Sequence, residues 1–152
     1  MGRGMMLAAA AAVVLGMGVS GAQAASVDEI ITARQACMKA NGKMMGALAA
    51  IVKGEKDYSA DAVHEALATD EKACADWANW WGPDTAKGDK VETYAKPEIW
   101  TDMKGFEAAG GAFVEKDKAV AATTSLDELK PAVMALGGAC KGCHEKFRRP
   151  KE

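Results

Sequence analysis

Ser125-Leu126-Asp127-Glu128-Leu129-Lys130-Pro131-Ala132-Val133-Met134-Ala135-Leu136-Gly137-Gly138-Ala139-Cys140-Lys141-Gly142-Cys143-His144-Glu145-Lys146-Phe147 decides how the chain is read. Ser125 and Glu128 stand three apart as a capping box, with two acids in the first turn, where the helix dipole favours negative charge. Leu129, Val133, Leu136, Cys140, Cys143 or His144, and Phe147 then step by three and four, which predicts a helix with one apolar face. Pro131 removes one intrahelical hydrogen bond and predicts a bend or a delayed start. The stretch also carries a C-x-x-C-H block. Two thiols one helical turn apart can add to the two vinyl groups of haem, and the adjacent imidazole then serves as an axial ligand. A redox dithiol fits less well, because no strand–helix alternation surrounds the pair. A zinc site would need a second pair of ligands, and none stands at ligand spacing. The expected cofactor is one covalent haem c, held by Cys140 and Cys143 with His144 on the iron.

Residues 1–24 read as a signal peptide rather than as fold. Arg3 is the basic start, residues 5–19 are apolar, and Ala22-Gln23-Ala24 has the small-x-small pattern of a cleavage site. The apolar run is shorter than the roughly 20 residues that span a bilayer, and Gly16 and Gly18 interrupt it. Cleavage after Ala24 leaves residues 25–152, enough for one domain, in the periplasm, where covalent haem attachment belongs. Of the 19 basic residues only Arg3 leaves with the leader, against 21 acidic ones that all stay. Both signs are scattered, with no run suited to a phosphate backbone, which excludes nucleic acid as a partner.

Further helices follow from caps and period. Ser26 to Glu29 is a first capping box, and Ile31, Met38, Met45, Leu48 and Val52 form the stripe behind it. Residues 54–57 stop this helix. Ser59 caps a second, with Val63, Leu67, Cys74, Trp77 or Ala78, and Trp81 on its inner face, ended by Gly82-Pro83. Residues 82–96 lack an apolar period and read as a long surface connection. Pro97 opens a third helix through Ile99, Met103, Phe106, Gly110, Phe113 and Val120. The expected fold is all-α, an antiparallel four-helix bundle with the haem inside one end.

The second iron ligand is open on the residues alone. Bis-histidine ligation would need His64, which lies about 25 Å from Trp81 by helical rise, at the bundle end away from the haem. A methionine thioether suits haem iron better, and Met38, Met44, Met45, Met103 and Met134 compete, most of them as core filler. Met38 has the right level. Met45, on the same stripe, lies about 10 Å deeper.

The segments Cys140-Lys141-Gly142-Cys143-His144-Glu145-Lys146-Phe147-Arg148, Ala95-Lys96-Pro97-Glu98-Ile99-Trp100, Met38-Lys39-Ala40-Asn41-Gly42 and Val52-Lys53-Gly54-Glu55-Lys56-Asp57-Tyr58 together resemble the cytochrome c-prime family, the class II c-type cytochromes. The similarity runs over nearly all of residues 26–150 and is strongest to the low-spin branch called cytochrome c-556. The resemblance implies that Cys140 and Cys143 form the thioethers and His144 is the proximal ligand. It places Met38 where low-spin members carry their methionine ligand and high-spin members an apolar residue. It also implies that Arg34 and Arg148 lie near the haem edge, as propionate partners or as solvated arginines, and that Trp81 packs beside the haem. Homodimers formed through the first two helices are a further implication.

Cys37 and Cys74 are not needed for haem. The turn between the first two helices centres near residues 55–56, so the two thiols are level in an antiparallel hairpin, and an oxidising compartment favours a disulfide. With His144 and Met38 both on iron, no open site remains for substrate, and the expected function is one-electron transfer with periplasmic redox proteins and peripheral membrane redox complexes. The alternative is a high-spin protein binding nitric oxide or carbon monoxide at an open sixth position. A peroxidase would need a distal acid or base, and no histidine is available for it, so no enzyme activity is expected.

Overall fold

The computed structural model describes residues 25–150. The expected signal peptide, residues 1–24, lies outside the described residues.

Helix α1 (Val27–Val52) begins at Ser26, whose side chain accepts from Glu29 N while the Glu29 carboxylate accepts from Ser26 N at 2.7 Å. Both halves of the expected capping box are therefore present. The helix ends at a glycine with φ +76°, Gly54, whose N–H donates to Ile51 O. An L side chain rarely adopts that backbone, which is why a glycine closes the turn. Helix α2 (Ala60–Glu71) starts at Ser59, whose side chain accepts from Ala62 N.

The second helix is shorter than its periodicity predicts. After Glu71 the chain tightens through turns into a 3₁₀ segment, Trp77–Asn79, and a second one at Pro83–Thr85. The reason is tertiary. Cys74 is bonded to Cys37, and the three tryptophans that follow turn inward to an aromatic cluster instead of continuing the α2 face.

The third helix is also divided. A single turn, α3 (Glu98–Thr101), is followed by α4 (Met103–Ala121). Asp102 breaks the run with extended φ −132°, and its carboxylate accepts from Gly105 N at 3.0 Å. Aspartate gains more as an N-cap than within a helix, so α4 restarts there.

Helix α5 (Leu126–Phe147) runs through Pro131 without a delayed start. Ser125 accepts from Glu128 N as expected, but the Glu128 carboxylate takes the N–H and hydroxyl of Thr124 instead of Ser125 N. Buried Leu129, Val133 and Leu136 fix the helix against its neighbours and outweigh the lost hydrogen bond.

α1, α2, α4 and α5 form the expected antiparallel bundle, with α1 packed on α2 and α4 on α5. Tyr58, just past α1, donates to Thr123 O, just before α5, at 2.9 Å. At the other end Gln35 of α1 donates to Glu92 O, while Lys96 N donates to Phe147 O and Arg149 N to Tyr94 O. The connection read as a surface loop is therefore stitched to both α1 and α5. Its anchor is Asp28, whose carboxylate accepts from the amides of Asp89, Lys90 and Val91. Gly88 must be small here, since a Cβ would lie 2.4 Å from Asp28 Oδ1 and 2.6 Å from Val91 O.

The core has two chemically distinct ends. Met44, Leu48, Ile51, Val63, Val120, Leu129, Val133 and Leu136 fill one with aliphatic side chains. Ile99, Phe106 and Phe147 form the other, with Trp77, Trp81, Trp100, Met103 and Cys143 packed around them. α1 presents Ile31, Arg34, Cys37, Ala40, Met44, Leu48 and Ile51 inward. That face is turned from the expected stripe: Met44 is fully buried, whereas Met38 is 38% exposed.

Candidate functional site

Cys140, Cys143 and His144 lie on the last two turns of α5, and Cys143 packs against the aromatic end of the core. Both cysteines are half-buried and outside any disulfide. Burial pushes both thiols up from their ordinary pKa, with a smaller contribution from Asp70 at Cys140 and from Cys140 at Cys143. Both are therefore protonated at neutral pH.

The wall opposite is aromatic. Trp81 sits 4.5 Å from Phe106, 4.7 Å from Trp77 and 6.3 Å from Trp100, measured between ring centroids. Phe106 in turn meets Phe147 at 5.2 Å, which ties this wall to α5. Trp100 Nε1 donates to Gly82 O at 2.9 Å. The Trp81 N–H is buried with no partner.

Arg34 is 5% exposed, which overturns the solvated-arginine reading. Its guanidinium lies 4.1 Å from the Trp81 ring centroid and donates to Thr85 O at 2.8 Å, to the Thr85 hydroxyl and to Trp80 O. Burial lowers its pKa to about 10, so it stays charged at neutral pH. Arg34 Nε, like Trp81 Nε1, is buried without an acceptor. Two unsatisfied donors, one of them on a buried cation with no carboxylate partner among the described residues, are costly unless an anion reaches them.

A haem fits this donor set. Two unpaired thiols one turn apart, a neighbouring imidazole, an aromatic wall and two orphaned donors that a propionate could satisfy occupy one end of the bundle. Metal bound by a His/Cys/Asp/Glu cluster alone does not fit: among the described residues no group of three or more such side chains could hold an ion.

Met38 comes level with this end through the helix register. The Met45 methyl lies against the Gly137 position, 3.7 Å from where a Cβ would stand. Seven residues back along α1 and seven on along antiparallel α5 are each about 10 Å of helical rise, which puts Met38 near the level of His144. Met38 lies at the rim of α1, next to Cys37. The Arg148 side chain is exposed, while its backbone pairs with Ala95 and its N–H donates to His144 O. His64 is at the far end, with Nε2 3.1 Å from Ala121 O, as its position in the sequence implies.

Of the two residues that hold Arg34, Thr85 lies in the stretch read as lacking a period and Trp80 in the expected second helix, off its inner face, and nothing in their residue types marked them. The Asp102–Lys146 ion pair that locks α4 to the end of α5 was equally invisible. The Cys37–Cys74 disulfide is present, with the two Cα atoms 4.9 Å apart.

Residues 29–148 match the family model described as Cytochrome C'. The cytochrome c' of Cereibacter sphaeroides is 38% identical over 131 residues, covering 84% of this chain and 87% of that protein. The cytochrome c-556 of Rhodopseudomonas palustris is 36% identical over 125 residues, covering 80% and 83%. A solved cytochrome c', described as having an unusual ligand-controlled dimer dissociation, superposes with a TM-score of 0.74 at 32% identity, over 84% of this chain and all of that one. With a family match over most of its length, and relatives well above 30% identity along nearly their whole length, this chain belongs to the cytochrome c' family.

Proposed function

We propose that this chain is a periplasmic one-electron carrier of the low-spin kind, with His144 and Met38 on the two faces of its haem. The family carries one covalent haem c, and its members transfer electrons or bind gases in the periplasm. Bound haem supplies a ferric/ferrous couple, the chemistry that holds the electron.

The observation that supports the reading is the Met45 methyl lying 3.7 Å from where a Gly137 Cβ would stand, because that register would bring Met38 near the level of His144. Cys140 and Cys143 would hold the group through two thioethers. Trp81 would pack on the porphyrin edge, and Arg34 Nε and Trp81 Nε1 would donate to a propionate. Arg148, exposed one turn past His144, would be a solvated arginine near the haem edge. A thioether and an imidazole, both neutral and held by rigid helices, let the oxidation state change with little rearrangement.

Residues 1–24 act as the export signal, and the domain begins near residue 25. The partners are periplasmic redox proteins and peripheral membrane redox complexes. Family members form dimers, and a homodimer through α1 and α2 is part of this reading.

An optical spectrum of the holoprotein tests the ligand set. A low-spin spectrum with a methionine–iron charge-transfer band supports it, and Met38→Ala should turn that spectrum high-spin and open the iron to carbon monoxide. A wild-type protein that is already five-coordinate, with a spectrum indifferent to Met38→Ala, makes the chain a gas binder instead.

A further inference from the structure

Arg34, Cys37 and Asn41 recur at the i, i+3, i+7 spacing of one helix face, and all three are tied to the same distant segment. Arg34 donates to Trp80 O and to Thr85. Cys37 is bonded to Cys74. The Asn41 amide donates to Cys37 O at 3.0 Å and reaches Cys74 Sγ at 3.3 Å.

α2 ends at Glu71, and Cys74 sits three residues beyond, in turns whose helical hydrogen bonding is already giving way. The stripe read from the sequence would turn Met38 and Met45 inward together. The observed rotation instead buries Arg34, Cys37 and Met44 and leaves Met38 at the rim, about 100° around the helix from Cys37. Ile31, Met44, Leu48 and Ile51 share that buried face, and the pins at 34, 37 and 41 bracket Met38 along it.

We infer that the Cys37–Cys74 disulfide, braced by Asn41, is a positioning device that fixes the rotation of α1 and thereby holds Met38 opposite His144. This rests on Met38 being the sixth ligand. The bond lies one residue from that ligand and ties it to the loop carrying the aromatic wall. It therefore selects between the two behaviours of the family: with the bond intact the iron is closed for electron transfer, and with it broken Met38 spends time off the iron and a diatomic gas can enter. The access gained equals the fraction of time the thioether is displaced.

The test uses the full holoprotein in three forms: wild type, the Cys37→Ala/Cys74→Ala variant, and Asn41→Ala, which keeps the bond and so the fold. Carbon monoxide association with the ferrous protein is measured by stopped flow, beside the charge-transfer band of the ferric form and amide exchange across residues 34–41. The double variant should bind carbon monoxide about tenfold faster, with a weakened band and faster exchange in that segment. Asn41→Ala should shift the same way by a few-fold. Unchanged association, band and exchange in both variants would overturn the positioning role. Failure of the ligand reading is distinguishable, because the wild type would then lack the band and Met38→Ala would alter nothing.

Discussion

Replacing both Cys37 and Cys74 by alanine should cost the folded protein about 4 kcal/mol, and the number follows from where the bond sits. It closes a loop between residues 37 apart in sequence. On the chain-entropy relation, cross-linking a loop of that size removes roughly 13 cal/mol/K from the unfolded ensemble, or about 4 kcal/mol at 25 °C. Haem attachment does not duplicate this effect. The proposed thioethers at Cys140 and Cys143 would bridge a single turn of one helix, so the unfolded chain would gain no long closed loop from them. With only four cysteines in the chain, the disulfide is its one long-range protein cross-link. Little native packing is lost with the sulfurs, because Cys37 is small and Cys74 only partly buried. At the entropy of unfolding usual for a domain near this size, 4 kcal/mol lowers Tm by about 15 °C. Urea denaturation of the oxidised holoprotein, followed by far-UV dichroism, measures both the midpoint and the slope. The midpoint should fall by roughly 2 M and m should rise, since the uncrosslinked chain exposes more surface when unfolded. A loss under about 1 kcal/mol with m unchanged would refute the reasoning, and would place the bond's importance in the folded state alone.

Gly88→Ala should destabilise by about 1–3 kcal/mol, because the new Cβ meets Val91 O, a backbone atom that cannot swing away; faster amide exchange at Asp89, Lys90 and Val91 would report the released Asp28 clamp, and wild-type protection there would count against it. Acid should weaken the fold through carboxylates held below their ordinary range. Desolvation raises Asp28, but the Val91, Lys90 and Asp89 amides outweigh it. Ser26 lowers Glu29, the Lys146 ammonium and Gly105 amide lower Asp102, and the Thr124 N–H lowers Glu128. Their stabilisation is complete above the unfolded values near 4 and is lost as pH falls through the depressed folded ones, so the melting temperature should decline below about pH 4. Asp117 runs the opposite way: desolvation, with Asp70 beside it, raises its pKa, so it weighs against the fold as pH climbs above its unfolded value of 3.8. Asp117→Asn should therefore stabilise at pH 7 and not at pH 3, and equal effects at both would show that charge is not the cause.

Much of the fold is legible because helices announce themselves locally. Ser26, Ser59 and Ser125 each accept from the amide three residues on, as side-chain oxygen at an N-cap dictates. The level pairing of Cys37 with Cys74 follows from simple counting about a hairpin turn. Where the reading failed, distant contacts had overruled a local preference. A period of three and four placed Met38 inside α1, but helical faces are broad, and a neighbouring face with Arg34 and Cys37 could be buried once Trp80, Thr85 and Cys74 satisfied them. The third helix looked continuous because Asp102 is tolerable inside a helix; the Lys146 ammonium on α5 tips it toward capping α4.

The sequence by itself determined the chemistry of the tail and the number of bundle helices, since thiol spacing, caps and apolar period are properties of neighbouring residues. It also determined which thiols could meet, because two antiparallel helices share one rise per residue. Tertiary structure decided how α1 is rotated, whether Arg34 is dry, and where the second and third helices give way. Those outcomes depend on acceptors and rings supplied from 40 to 60 residues away, whose positions exist only after the chain has closed on itself.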